Sequence, residues 1–438
     1  MADKAVVNIF WFRRDLRLRD NAGLYYALKG DHRVLCLFIF DAEILDKLED
    51  RDDARVTFIY QTIEELDRQL KKNDSALFVK YGTPDSVWNE LLKEQKIGTV
   101  YANHDYEPYA VRRDKAIADK LKHHNIDLKT FKDQVIFETN EVLKENGEPY
   151  TVYTPYMRKW HQKLTPFYLM AYPTEKYLKN LVRHKGLTMP SLKSMGFEKS
   201  QRKFPGINYE SVIKDYAKTR DFPSIKDGTT HIGLHLRFGT VSIRELAIQA
   251  NAQHEKTWLN ELVWREFYMM ILYHFPKTAD HAFKPEYDRI KWVNDEEKFK
   301  AWCEGRTGYP LVDAGMRELN ATGYMHNRVR MVTASFLSKD LLTDWRWGER
   351  YFARKLLDYD MASNVGGWQW AAGSGTDAAP YFRIFNPEAQ QKKFDSNLVY
   401  IKKWVPEYAD PGKYPRPIID HAFARDRCLN AFKEALNR

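Results

Sequence analysis

The stretch Asn364-Val365-Gly366-Gly367-Trp368-Gln369-Trp370 is the most chemically suggestive in the chain. Two glycines beside two indoles let a backbone approach a flat ligand closely. Asp358-Tyr359-Asp360 just before it supplies acceptors for cationic or N–H groups, and a glycine-rich loop from Gly373 to Arg383 follows. By composition alone, the same residues read first as aromatic packing in a helical core. Familiar catalytic patterns are missing: there is no GxSxG elbow, HExxH pair or HxE…PCxxC deaminase signature, and neither GxGxxG nor GxxxxGK[ST] occurs. His231 and His235 have helix-compatible ligand spacing without a third ligand, so packing or capping is their reading and no metal is expected.

The elements that must carry these residues fall into two kinds. In the first third, short apolar runs alternate with helical patterns. Val6 to Phe12 and Val34 to Phe40 read as buried parallel strands, Ala76 to Val79 and Thr99 to Ala102 as shorter ones, and Val135-Ile136-Phe137 as a candidate fifth. Between them, Val56, Ile59, Ile63, Leu66 and Leu70 follow helix spacing. Such alternation predicts a doubly wound, Rossmann-like α/β domain over 1–137, with ligands at the carboxyl ends of its strands. Its first loop is Arg13-Arg14-Asp15-Leu16-Arg17-Leu18-Arg19-Asp20-Asn21 rather than a glycine-rich turn. Residues 138–206 hold few periodic runs and predict a connector over the surface. From 207 to 438 amphipathic helix patterns take over, among them Ser242 to Gln249, Thr257 to Phe275 and Val329 to Leu342, and predict an all-α second domain.

Composition bounds the partners. The 438 residues carry 69 Lys and Arg against 60 Asp and Glu, a net charge of +9, which favours anionic partners and nucleic acid first. Three scattered cysteines, Cys36, Cys303 and Cys428, exclude a disulfide framework and a CxxC zinc site, and a reducing cytoplasm fits them best. No apolar run approaches the ~18 residues of a membrane helix, and the start of the chain carries no secretory pattern. A monomer without an obligate protein partner is expected.

Several motifs then occur together in one order. They are Phe10-Trp11-Phe12-Arg13-Arg14-Asp15-Leu16-Arg17-Leu18 with Asp20-Asn21, Tyr150 to Tyr156, Trp258 to Phe267, Gly305 to Ala314, His326 to Met331, Asp344-Trp345-Arg346, Asn364 to Trp370 and Thr376 to Pro387. On these residues the chain resembles the DNA photolyase/cryptochrome family from residue 6 to about 425. The resemblance implies FAD in the helical domain, and it implies roles residue by residue. Thr229, Thr230, His231, Ile232 and Gly233 form the phosphate-binding stretch, with Gly233 standing where the family usually has serine. Tyr216, Trp258 and Arg265 are further cofactor contacts. Arg330 and Asp358 flank the flavin ring as an ion pair, Tyr359 and Asp360 lie beside it, and Asn364 faces flavin N5. Plant-type cryptochromes carry Asp there and animal ones Cys, so Asn364 favours a repair enzyme.

The same resemblance makes Trp368, Trp345 and Trp292 an electron chain to the surface. Glu261, Trp264, Asn327, Met331 and Trp370 become the pocket for a flipped-out lesion, in which aromatic stacking on each base is worth ~1–3 kcal/mol. Relatives acting on (6-4) photoproducts hold a histidine pair in the Asn327 and Met331 region, so cyclobutane pyrimidine dimers are the expected substrate. Arg220, Arg265, Arg328 and Gln390 are DNA-side candidates. Between His326 and Lys355 seven Lys or Arg face three Asp or Glu, a further basic surface for phosphates. The implied activity is deoxyribodipyrimidine photo-lyase: excited reduced FAD donates an electron to the dimer, the cyclobutane ring splits, and the electron returns. A cryptochrome-type light receptor is the first alternative, disfavoured by Asn364 and by the lack of a long extension after the last helix pattern, Phe423 to Leu436. A (6-4) enzyme, a flavin-free helical DNA-binding module and a conventional flavin oxidoreductase are the others. A second, light-harvesting chromophore of folate or deazaflavin type is possible in the first domain. Glu107 stands where folate-binding relatives use an acid, but the match is short and an exposed surface glutamate is its preferred reading.

Overall fold

The computed structural model describes residues 5–184, 188–410 and 412–436. They form two compact units, neither continuous in sequence. The first takes the chain up to Glu141 with Lys163–Pro205 and Gly233–Ala252, and the second takes Val142–Gln162, Gly206–Ile232 and the chain from Gln253 on. The stretch expected as a single connector is thus divided between them. It also contains a helix, Tyr153–Lys163, whose buried Tyr156 and Trp160 both donate to Glu266, at 3.2 and 2.7 Å.

In the first unit five parallel strands lie in the order β3-β2-β1-β4-β5. These are β1 (Val7–Phe12), β2 (Val34–Asp41), β3 (Leu77–Gly82), β4 (Ile97–Asn103) and β5 (Asp127–Phe131). Every residue of β1 and β2 is buried, as strands covered on both faces require. Phe10, Phe12, Phe38 and Phe40 enter one core, while Ile9, Trp11, Leu37 and Ile39 enter the other. The helix Ala54–Lys71 starts on an Asp53 side-chain cap and Pro84–Glu94 on a Thr83 cap. The fifth strand is Asp127–Phe131, not Val135–Phe137. The latter three residues are buried but belong to no strand, whereas the edge strand is mostly exposed and so carries no apolar run to announce it. Since β1 pairs with both β2 and β4, the order reverses beside β1, which puts the Arg13–Asn21 loop and the loop after β4 at the switch point.

The second unit is helical. Its main core is built from Trp302, Val329, Phe336, Leu337, Trp345, Phe352, Trp368 and their neighbours. The helix Asn327–Ser335 runs on through a π turn, Phe336–Asp340. Trp345–Lys355 is capped by Asp344, and Met361–Ala372 is capped by Asp360 and closed by Gly373 in the left-handed region at φ 89°. The helix Ile243–Asn251, expected with this half of the chain, belongs instead to the α/β unit.

Candidate active site

Three helices of the second unit each turn one face to a common cavity of about 430 Å³. Thr257–His274 contributes Glu261, Trp264, Arg265 and Tyr268. Asn327–Ser335 contributes Asn327, Arg330, Met331 and Ala334. Met361–Ala372 contributes Ser363, Asn364, Gly367 and Trp368, with Asp360 ahead of them and Trp370 beyond. In the first two helices the lining positions recur at i, i+3, i+4 and i+7, the spacing of a single helical face, and in the third the same spacing runs from the cap Asp360 through Ser363, Asn364 and Gly367. Asn364 and Trp370, expected to share a site, therefore do share one. Gly367, one of the two glycines read as allowing close approach of a flat ligand, lines it too, as do Tyr268, Ala334, Phe352, Leu356 and Ser363, which were missed in the sequence. The same period would have found Tyr268 from Glu261 and Trp264; nothing in the sequence marks Phe352.

The polar groups of this wall are organised. Arg330 Nη2 donates to both carboxylate oxygens of Asp358, at 2.9 and 3.1 Å, and its Nε donates to the Met325 carbonyl at 2.7 Å. Burial works against the guanidinium charge, but Asp358 outweighs it and holds Arg330 above its ordinary range. Asn364 Nδ2 donates to Glu349 Oε1 at 2.9 Å and to the Glu349 carbonyl at 3.1 Å, which fixes the amide in the wall. Burial raises the Glu349 carboxyl, against the lowering bond from Asn364. Glu261 pairs with Arg220; burial raises its carboxyl despite that partner. Asn327 Nδ2 points to Met331 Sδ at 4.0 Å.

The other expected site residues fall in several places. Thr229 meets the Tyr324 hydroxyl at 3.2 Å, and the His231 ring lies 4.3 Å from the Tyr324 ring, over which Arg330 also sits at 5.6 Å. Tyr324 thus ties the 229–231 stretch to the Arg330–Asp358 pair, a connection the sequence did not suggest. Thr230 and Ile232 are buried, and Gly233 opens the helix Gly233–Phe238 of the α/β unit. Tyr216 lies under Arg220, whose guanidinium is 5.5 Å from its ring. Trp258 is buried flat against Tyr209, with planes 10° apart, and does not reach the cavity wall. Arg328 bonds Asp221 at 2.7 Å and covers Phe394, outside the cavity, as is Gln390. Trp368 lines the cavity, Trp345 shares its core, and Trp292 packs against that core at a less buried position. Trp302, 6.0 Å from Trp368, stands beside this series and was not anticipated.

The histidine pair separates. His235 is buried, bonded to Thr240 and to the Pro205 carbonyl, and packs on Phe58, as the packing reading expected. Among the described residues no group of His, Cys, Asp and Glu could hold a metal ion. The basic count between His326 and Lys355 overstates the charge available to a partner. Lys339 is buried and donates to the Arg383 carbonyl at 2.8 Å, while Arg330 and Arg346 are held in ion pairs.

A planar aromatic cofactor with polar edges fits the main cavity. A Cβ added at Gly367 would meet nothing within 4 Å, so that stretch of helix leaves open space on the cavity side. Buried Trp368 Nε1, in the same wall, has no hydrogen-bond partner within the protein. Donors and acceptors of both signs line the remainder, as an isoalloxazine edge requires. A second cavity of about 160 Å³ lies in the α/β unit at the strand ends, lined by Trp11, Arg13, Asp41, Glu107, Tyr109 and Arg113 among others. Glu107 is not the exposed side chain expected of it: Arg14 and Arg237 both bond it, and it faces this cavity.

A parallel α/β unit and a helical unit, the latter holding a ring-sized cavity lined by charged groups of both signs, define a class of protein built to hold a planar cofactor. The family model for DNA photolyase matches residues 8–176, and that for the FAD binding domain of DNA photolyase matches residues 258–413. A deoxyribodipyrimidine photo-lyase of Alkalihalophilus pseudofirmus is 37% identical over 99% of both chains. A bacterial class III photolyase from Agrobacterium tumefaciens superposes with a TM-score of 0.85 at 32% identity, over 100% of this chain and 99% of that one. An archaeal photolyase from Sulfolobus tokodaii, whose structure holds two FAD molecules, superposes at 0.84 with 33% identity over 98% and 100%. The chain belongs to the DNA photolyase family.

Proposed function

We propose that this protein repairs DNA in the light as a deoxyribodipyrimidine photo-lyase acting on cyclobutane pyrimidine dimers. The observation that carries this reading is the single cavity shared by the Arg330–Asp358 pair, Asn364 and the lesion-side residues Glu261, Trp264, Asn327, Met331 and Trp370. A bound, reduced FAD supplies the light-driven electron for splitting the dimer. The chain's own residues hold and orient. Arg330 and Asp358, with Tyr359 and Asp360, frame the cofactor side, and Asn364 presents an amide whose nitrogen is already anchored on Glu349. Trp264 and Trp370 offer apolar faces to two unstacked bases. Glu261, paired with Arg220 in the cavity wall, presents a carboxyl group to the polar edge of a pyrimidine. Trp368, Trp345 and Trp292 form an oxidisable series from cavity to surface. Arg220, Arg265, Arg328 and Gln390 serve the DNA backbone around the opening. Asn327 and Met331, where a histidine pair would serve (6-4) chemistry, favour the cyclobutane substrate.

The cavity of the α/β unit is suited to a second, light-harvesting chromophore of folate, deazaflavin or flavin type. The protein acts as a cytoplasmic monomer. No described helix is long and apolar enough to cross a membrane. The deciding experiment is repair of an oligonucleotide with one cyclobutane dimer by the purified, photoreduced protein under blue light. Light-dependent dimer loss with a flavin spectrum is expected; a colourless protein, or flavin without repair, refutes the reading.

A further inference from the structure

The motif Tyr150 to Tyr156 touches none of the cavity, yet it is tied to the cavity wall from behind. Tyr153 is buried, and its ring lies flat on Trp264, with centroids 3.5 Å apart and planes 8° apart. Phe267 meets both rings edge-on, at 5.8 Å from Tyr153 and 5.7 Å from Trp264. The Tyr153 hydroxyl donates to the Asn260 carbonyl at 2.9 Å, one turn before Trp264 on the same helix. Its backbone N–H donates to Asp377 Oδ2 at 3.1 Å, and the Thr376 hydroxyl donates to the Thr151 carbonyl. Asp377 holds a left-handed backbone at φ 46°, uncommon for a residue with a side chain. The glycine-rich loop, the 150–156 segment and the Trp264 helix are thus fastened at one point.

We infer that Tyr153 is a positioning residue for lesion recognition, fixing the plane of Trp264 so that its opposite face is set for a flipped-out pyrimidine. This rests on the reading of Trp264 given above. An unsupported indole on a helix can swing about two torsions, and ordering it on binding costs affinity. A ring stacked on one face removes that freedom before the base arrives, and aromatic pairs contribute beyond the area they bury. The ring carries this effect, while the hydroxyl and the Asp377 bond keep the ring in place. Undamaged duplex, whose bases stay stacked, does not use the Trp264 face and should not sense the change.

The test compares holoprotein variants Tyr153→Leu, Tyr153→Phe, Asp377→Asn and Trp264→Ala. Dark affinity is measured for an oligonucleotide with one cyclobutane dimer and for the same undamaged duplex, with flavin absorbance as a control. Tyr153→Leu should weaken dimer binding roughly three- to tenfold while leaving flavin content and undamaged-DNA affinity unchanged. Tyr153→Phe should stay within about twofold of wild type, and Asp377→Asn should shift in the same direction as the leucine variant. Wild-type dimer affinity in Tyr153→Leu, an equal loss on undamaged DNA, or a phenylalanine variant as weak as the leucine one overturns the inference. If Tyr153→Leu fails to fold or loses flavin, Asp377→Asn decides, because it replaces the charged acceptor of the Tyr153 N–H by a weaker neutral one without emptying the core. Trp264→Ala separates the two levels. Unchanged dimer affinity there overturns the reading of the site and the inference with it, whereas a loss there without one in Tyr153→Leu overturns the inference alone.

Discussion

Glu261 and Arg220 pair in one wall of the cavity and set its electrostatics there. Burial pushes the Glu261 carboxyl up and Arg220 pulls it down, with burial ahead. Removing the cation must therefore raise the carboxyl further. In Arg220→Gln the infrared carboxyl band of Glu261 should persist to higher pH than in wild type; an unchanged titration would show that the pair is not coupled. The tryptophan series has its own readout. Trp368→Phe should slow light-induced reduction of oxidised flavin at least tenfold, while leaving dimer repair by chemically pre-reduced protein within about twofold. Equal losses in both assays would place Trp368 in the repair step instead.

Helix faces determine which residues meet, and close contacts between helices determine where the faces lie. Gly348 and Gly366 are spaces for neighbouring rings. A Cβ at Gly348 would stand 2.0 Å from Trp368 Cη2, and one at Gly366 would stand 2.2 Å from Tyr268 Cδ1. Alanine at either should cost roughly 1–3 kcal/mol by overpacking. Gly367→Ala meets no atom and should match or exceed wild-type stability by up to ~1 kcal/mol, while intruding on the cofactor space. Urea denaturation together with flavin absorbance separates the three: the first two lose stability, the third loses flavin. A stable, flavin-replete Gly348→Ala would contradict the packing.

The helix Asn327–Ser335 begins on His326, whose Nδ1 accepts from the Arg328 N–H at 3.1 Å. Burial, aided by Arg330, holds this imidazole down to about 4, against roughly 6.5 when unfolded. Between those values the unfolded chain takes up a proton that the folded one refuses. Stability therefore falls as pH drops from about 6.5 towards 4, and the contribution is constant above that window. His326→Asn keeps a capping acceptor and removes the titration. Its stability should change less than wild type's, by roughly 1–2 kcal/mol between pH 7.5 and 5; parallel pH profiles of the urea midpoint would refute the assignment.

Across the whole molecule, two cavities in two units divide the photochemistry proposed here. Filling the α/β cavity with Leu45→Trp should narrow the action spectrum of repair while leaving repair under direct flavin excitation within about twofold. Equal losses at all wavelengths would mean that this cavity serves stability alone. The net charge of +9 suits DNA, yet much of the basic count along 326–355 is spent inside the protein, on Asp358, on Asp344 and on the Arg383 carbonyl.

Periodicity made β1, β2 and the principal helices legible, because buried faces impose their spacing on the residues themselves. It missed the edge strand Asp127–Phe131, where solvent on most positions erases the pattern, and gave the sheet a fifth member that is merely buried. The order of motifs identified the family and nominated Arg330, Asp358, Asn364, Glu261 and Trp264. Neither could show that Trp258 turns to Tyr209 or that Glu107 turns inward to Arg14 and Arg237. Nor could they place Tyr153 behind Trp264, 111 positions along the chain. Local spacing is written in the chain because a helix or strand fixes which neighbours share a face. Partners brought together across hundreds of residues are chosen by packing, and only the folded molecule settles them.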